Sequence, residues 1–181
     1  MPFEPRADPY HTVERCWNWY QLHREAAQRL ITNINDSLRN GNPIDIDEFV
    51  GMTPMEFNTA ANWQMQELEH LTAMNLFSAT EAGLWRDYRR KGRGKQATPL
   101  ATAMRALYAA KGSEFYDLGP VLDIWCDNTT GQERQYFAEY KGALHYRHWL
   151  AHGRHWILLG ERYTLAKVLD ICTNTANSIE E

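Results

Sequence analysis

The 181-residue sequence predicts an all-α protein, a single domain of about five or six helices. Three observations carry that expectation. Apolar residues recur at alternating spacings of three and four in successive segments, the period of a helix with one buried face. Capping residues or proline precede these segments, and glycine or proline follows several of them. No stretch alternates apolar and polar residues as a strand does, and there is no internal repeat or low-complexity run.

The first helix is expected over about residues 8–40. Asp8-Pro9 offers a capping side chain followed by a proline suited to the first turn. Tyr10, Val13, Trp17, Tyr20, Ala27, Ile31, Ile34 and Leu38 then follow one stripe, interrupted by Arg24. Asn40-Gly41-Asn42-Pro43 ends it, and the acidic stretch 44–51 reads as a loop. Thr53-Pro54-Met55-Glu56 is a capping box with proline in the first turn, opening a long helix to about Arg90. In its second half Met74, Phe77, Glu81, Leu84 and Tyr88 share a stripe. A carboxylate on such a line needs a partner or partial exposure, because burying it alone is costly.

Thr98-Pro99 starts a helix with Leu100, Met104, Leu107 and Tyr108 that ends at Lys111-Gly112. A short helix with Val121, Leu122, Ile124 and Trp125 follows Gly119-Pro120. Thr130 and Glu133 have capping-box spacing and open a helix over about 131–153. Thr164 caps a last helix carrying Leu165, Val168, Leu169, Cys172 and Ala176, with a polar tail expected to fray.

Composition narrows the function classes. Apolar residues make up 44% and charged residues 23%, as in ordinary globular chains. No apolar run approaches the ~20 residues of a membrane span. The N-terminus lacks a basic-then-apolar export signal, so a cytoplasmic protein is expected. Cys16, Cys126 and Cys172, odd in number and far apart, read as reduced, packed thiols. The net charge of -4 argues against a dedicated duplex-DNA binder, so any polyanion site must be local. The strong basic cluster is Arg86, Arg89, Arg90, Lys91, Arg93 and Lys95, opposed only by Asp87, with Gly92 and Gly94 expected to make it flexible. A phosphate backbone would favour it; a solvated helix end complementing the helix dipole would look the same.

Residues 145–156, HYRHWLAHGRHW, hold four of the seven histidines, two arginines and two tryptophans. Arg147 is followed by four residues and then His152. Metal-free RNA cleavage needs a base that titrates near neutral pH, which histidine supplies, and a permanent cation matched to phosphate, which arginine supplies. Phe137, Tyr140, Leu144, Arg147 and Ala151 follow one stripe, and His145, His148, His152 and His155 an adjacent one. At about 100° per residue, Arg147 and His152 lie roughly 140° apart, so they fit a wide cleft or two crossing helices. Gly153 is expected to end the helix and re-aim His152. A cationic histidine is favoured at such a C-terminus. Arg147 and Glu81 each intrude on an apolar stripe, which predicts an ion pair between their helices. The histidine stripe also admits a zinc or nickel site, although one straight helix cannot surround a metal.

The stretch ALHYRHWLAHGRHW resembles the motif helix of prokaryotic HEPN-domain proteins, whose signature is arginine, four to six residues, then histidine. FSATEAGLWRDYRR is similar to the acidic-then-basic helix of some standalone HEPN families, so the resemblance covers roughly residues 71–156. It implies a HEPN-like bundle that dimerises through the motif helices. It further implies a metal-independent endoribonuclease of the kind found in toxin–antitoxin, abortive-infection and other defence systems. Arg147 and His152 take the motif positions, His148 a position often polar in the family, and Glu81 an upstream acidic one. The tyrosine that follows the histidine in members paired with a nucleotidyltransferase antitoxin is missing.

The implied reaction is attack of a ribose 2′-hydroxyl on the adjacent phosphate, with His152 as general base or acid and Arg147 stabilising the phosphorane. RNA rather than DNA follows from the hydroxyl requirement. Arg86, Arg89, Arg90 and Arg154 are the expected RNA contacts, and Trp149 and Trp156 can stack on unpaired bases or pack in the core. The expected partners are RNA, a second copy of the chain and an antitoxin or defence component, with neither a cofactor nor a resident metal. The rival to catalysis is a non-catalytic dimeric or nucleotide-binding scaffold. No serine or cysteine nucleophile constellation and no glycine-rich phosphate loop accompanies these residues.

Overall fold

A computed structural model describes residues 12–154, 157–158 and 160–180. These form α1 (Val13–Asn40), α2 (Pro54–Arg93), α3 (Pro99–Lys111), α4 (Leu118–Asn128), α5 (Gly131–Ala151) and α6 (Leu165–Glu180), with a 3-10 turn at Asp47–Phe49. The all-α architecture and the number of helices are those expected. No helix among the described residues is long and apolar enough to cross a membrane.

Local chemistry sets most boundaries. Thr53 accepts from the Glu56 N–H, and the Glu56 carboxylate accepts from the Thr53 N–H at 2.8 Å, completing the capping box. Thr98 caps α3 by accepting from Ala101 N–H, and Thr164 caps α6 by accepting from Lys167 N–H. Three boundaries differ from expectation. α1 begins at Val13, because Thr12 is extended and caps it by accepting from Arg15 N–H at 3.1 Å; Asp8, Pro9 and Tyr10 lie outside the described residues. Thr130 makes no side-chain cap, so the second capping box is absent; Gly131 enters the helix at φ +58, which turns the first peptide off the helical course. α4 begins at Leu118, where Asp117 accepts from Gly119 N–H at 3.0 Å.

α2, about 60 Å long at 1.5 Å per residue, is the spine. α1 runs antiparallel to it, since Cys16 reaches the Asn75 carbonyl while Asn35 reaches Asn58. α6 also packs on α2 and brings Ile179 to Gly83 and Arg90. α4 and α5 form a hairpin whose Trp125 and Phe137 rings stack 4.3 Å apart. The main core gathers Leu76, Phe77, Leu84, Met104, Leu122, Phe137, Tyr140 and Ile171. Each fully buried apolar side chain of this size contributes about 1.5–3 kcal/mol. A satellite core of Ile34, Phe49, Phe57 and Ala61 closes the far end of the α1–α2 pair. The 44–51 stretch is therefore not only a loop: its 3-10 turn delivers Phe49 to that core, edge-on to Phe57 at 5.2 Å.

α2 continues through the basic cluster to Arg93. Gly92 is helical, and a Cβ there would lie 2.6 Å from Cγ of Tyr108 on α3. Its role is close approach, a correction to the flexible end expected from the two glycines.

Candidate active site on the fifth helix

α5 buries Phe137, Tyr140, Ala143, Tyr146 and Leu150. The stripe read from the sequence is rotated from this: Leu144 is half-buried and Ala151 exposed. Ala143 and Tyr146 both face inward. Arg147 therefore sits at the border of the core.

The expected pair between Arg147 and Glu81 is present. Arg147 Nη2 donates to Glu81 Oε2 at 2.8 Å, and Nε lies 2.7 Å from Oε1. The Nε–H is buried and not aligned for a hydrogen bond, so that second contact is held by charge alone. Arg147 is 30% exposed and Glu81 18%, which leaves the pair partly open to solvent.

His152 caps the C-terminus of α5, and Gly153 follows at φ +75. Gly153 N–H donates to the Leu150 carbonyl and Arg154 N–H to the Trp149 carbonyl, at 3.3 and 3.1 Å. This is the Schellman arrangement that a glycine after the last turn permits. His148 and His152 are both exposed, with ring centroids 4.1 Å apart. Arg147 is thus turned to α2 while His152 stays at the surface beside His148. His145 is also exposed, and His155 and Trp156 lie outside the described residues.

Arg154 is half-buried and tied to α2. It adopts φ +58, a left-handed conformation costing about 1–2 kcal/mol for a residue with a Cβ. Its two terminal nitrogens each donate to the Glu67 carboxylate at 2.6 Å. That contact holds the Glu67 carboxyl below the usual carboxylate range. The same guanidinium lies 2.5 Å from His70 Nδ1, and Arg162 Nη2 lies 3.1 Å from His70 Nε2. Burial, then the Arg154 charge, push the His70 pKa down.

The basic cluster on α2 divides. Lys91 is buried, paired with Asp87 and 4.7 Å over the Trp125 ring. Arg90 donates to Asp87 Oδ1 at 2.7 Å and keeps 61% of its side chain exposed. Arg93 donates to the Tyr108 hydroxyl at 2.8 Å. Arg86 is exposed and Arg89 half-buried. Arg86, Arg90 and Asp87 border a cavity of about 580 Å³ between α2 and the end of α6.

His70, Glu67 and Arg162 were not singled out by the sequence. They lie on α2 and before α6, and only tertiary packing joins them. The one local signal was Glu67 and His70 three residues apart, which places both on one helix face. Among the described residues, no group of three or more His, Cys, Asp or Glu side chains converges as a metal site. Comparison with protein-family models, with curated proteins and with solved structures finds no match to this chain.

Proposed function

We propose that this chain is a HEPN-like, metal-independent endoribonuclease that acts as a homodimer through α5, in a toxin or phage-defence setting. The observation that carries the reading is a half-exposed Arg147 fixed by Glu81 on the same helix as the exposed His148–His152 pair. Anchoring fixes the position of the guanidinium before substrate arrives, as electrostatic stabilisation of a phosphorane requires. One imidazole removes the 2′-hydroxyl proton as the 2′-oxygen attacks phosphorus. A second protonates the leaving 5′-oxygen, giving a 2′,3′-cyclic phosphate and a 5′-hydroxyl. Arg147 and His152 diverge within one helix, so the composite site takes its second imidazole from the partner copy. His148 supports His152, and Arg86, Arg89 and Arg90 offer charge to the RNA backbone. Arg154, held by Glu67, serves first to fix the end of α5.

A second reading, a non-catalytic dimeric scaffold, is favoured by one observation: Glu81 already neutralises Arg147, as a purely structural tie would. Cleavage of a structured RNA pool in EDTA separates the two. Wild type should yield cyclic-phosphate ends, with losses of roughly 10²–10⁴-fold in Arg147→Ala and His152→Ala. No cleavage by wild type, or equal cleavage by His152→Ala, leaves the scaffold.

A further inference from the structure

α1, α2, α5 and the start of α6 enclose an open cavity of about 480 Å³, separate in its lining from Arg147 and His152. Its size suits a small ligand. Trp17, Tyr20, Tyr146 and Tyr163 give it aromatic walls, and Arg24 and Arg162 also line it. Neither arginine has an ion-pair partner among the described residues.

Among the described lining residues, two arginines stand against one carboxylate. Guanidinium groups only donate, and a neutral imidazole has one donor and one acceptor nitrogen. His70 has a guanidinium against each ring nitrogen. Glu67 Oε1, 3.5 Å from His70 Nδ1, is shared by Arg154 and the imidazole, so a proton on Nδ1 faces a carboxylate and Nε2 can accept from Arg162. Glu69, the one carboxylate among the described lining residues, is engaged by the Tyr20 hydroxyl. Arg162 has three neutral partners among the described residues: His70, the Tyr146 hydroxyl and the Trp149 ring, 5.9 Å from its guanidinium carbon. It has no negatively charged partner among the described residues.

We propose that this cavity binds a small aromatic oxyanion, a ring-bearing phosphate or carboxylate, with its charged group on Arg162 and its ring among Trp17, Tyr146 and Tyr163. Arg24 adds positive charge at the mouth, and a ligand acceptor replaces the contact between Arg162 and His70. Binding here is independent of RNA cleavage.

The test is calorimetric titration of the full chain with phenyl phosphate, benzoate, inorganic phosphate and benzyl alcohol. Phenyl phosphate or benzoate should bind one to one, and whichever is tighter identifies the oxyanion. Inorganic phosphate should bind more weakly for want of a ring, and benzyl alcohol should not bind. Arg162→Gln should weaken the better ligand about tenfold or more, the loss of a charge-assisted hydrogen bond, and Arg24→Gln should weaken it less. Circular dichroism checks that both variants fold, and Arg147→Ala should bind as wild type does. Absence of binding by both aromatic anions up to about 10 mM, where affinity has fallen near the weakest specific range, overturns the proposal. So does undiminished binding in a folded Arg162→Gln, benzyl alcohol matching the anions, inorganic phosphate matching phenyl phosphate, or loss in Arg147→Ala alone.

Discussion

Arg147 meets Glu81 side-on across α5 and α2, with one terminal nitrogen donating at 2.8 Å and Nε only 2.7 Å from the other oxygen. Removing either partner leaves the other charge half-buried. Arg147→Ala and Glu81→Ala should each lower unfolding free energy by about 1–3 kcal/mol in denaturant titration. The double variant Arg147→Met/Glu81→Met should recover most of that loss, since replacing both members of a pair by apolar groups is often close to neutral. Additive damage in the double variant would mean that the pair is not coupled.

His70 and Glu67 make stability depend on pH in the same direction. The folded pKa of His70 lies below its unfolded value, chiefly through burial and then the Arg154 and Arg162 charges, with Glu67 opposing them. Its contribution is complete above the unfolded value of about 6.5 and is lost as pH falls through the folded one. Glu67, held down first by Arg154, adds a second loss below its ordinary range. Denaturant titrations at pH 7.5 and 5.5 should show a smaller difference in His70→Gln than in wild type. Glu67→Gln should flatten the dependence in the more acidic limb.

Two helical glycines should respond oppositely to alanine. Gly92→Ala places a methyl 2.6 Å from the Tyr108 ring and should destabilise by about 1–3 kcal/mol through overpacking. Gly142→Ala meets only the Tyr163 hydroxyl, at 3.9 Å, and should stabilise by about 0.5–1 kcal/mol, the difference in helix propensity. Thermal melts of the two variants should move in opposite directions from wild type.

The thiols should be inert in the folded chain. Burial pushes Cys172 up to about 12 and raises Cys16 and Cys126 as well. The thiolate is the reactive form, so labelling at pH 8 should be slow at every site. Cys172 should label only when the protein unfolds, and rapid native labelling of it would contradict the packing around Thr80 and Tyr140.

Punctuation was the most legible part of the chain. Thr53–Glu56, Thr98 and Thr164 announce their helices because the side chain that caps is adjacent in sequence to the amides it satisfies. The pairing of Arg147 with Glu81 was also readable, since each is a charge on an apolar stripe. Three things were not. Thr130 has capping-box spacing but not the backbone angle, which depends on Gly131. Lys91 reads as part of a basic surface, yet Asp87 and the Trp125 ring draw it inward. His70 lies 84 residues from Arg154 and 92 from Arg162 in sequence, and no local period encodes their meeting.

One continuous helix, α2, belongs to two cores of very unequal size. Its first turns rest on the satellite core of four buried residues, beside an apolar cavity of about 240 Å³, while its second half is clamped by the main core. Cooperativity is therefore graded along a single element. Amide protons around Phe57 and Ala61 should exchange through local opening of the α1–α2 tip, while those around Leu76 and Leu84 wait for global unfolding. The tip can melt and reform while the half of α2 that carries Glu81 keeps its register.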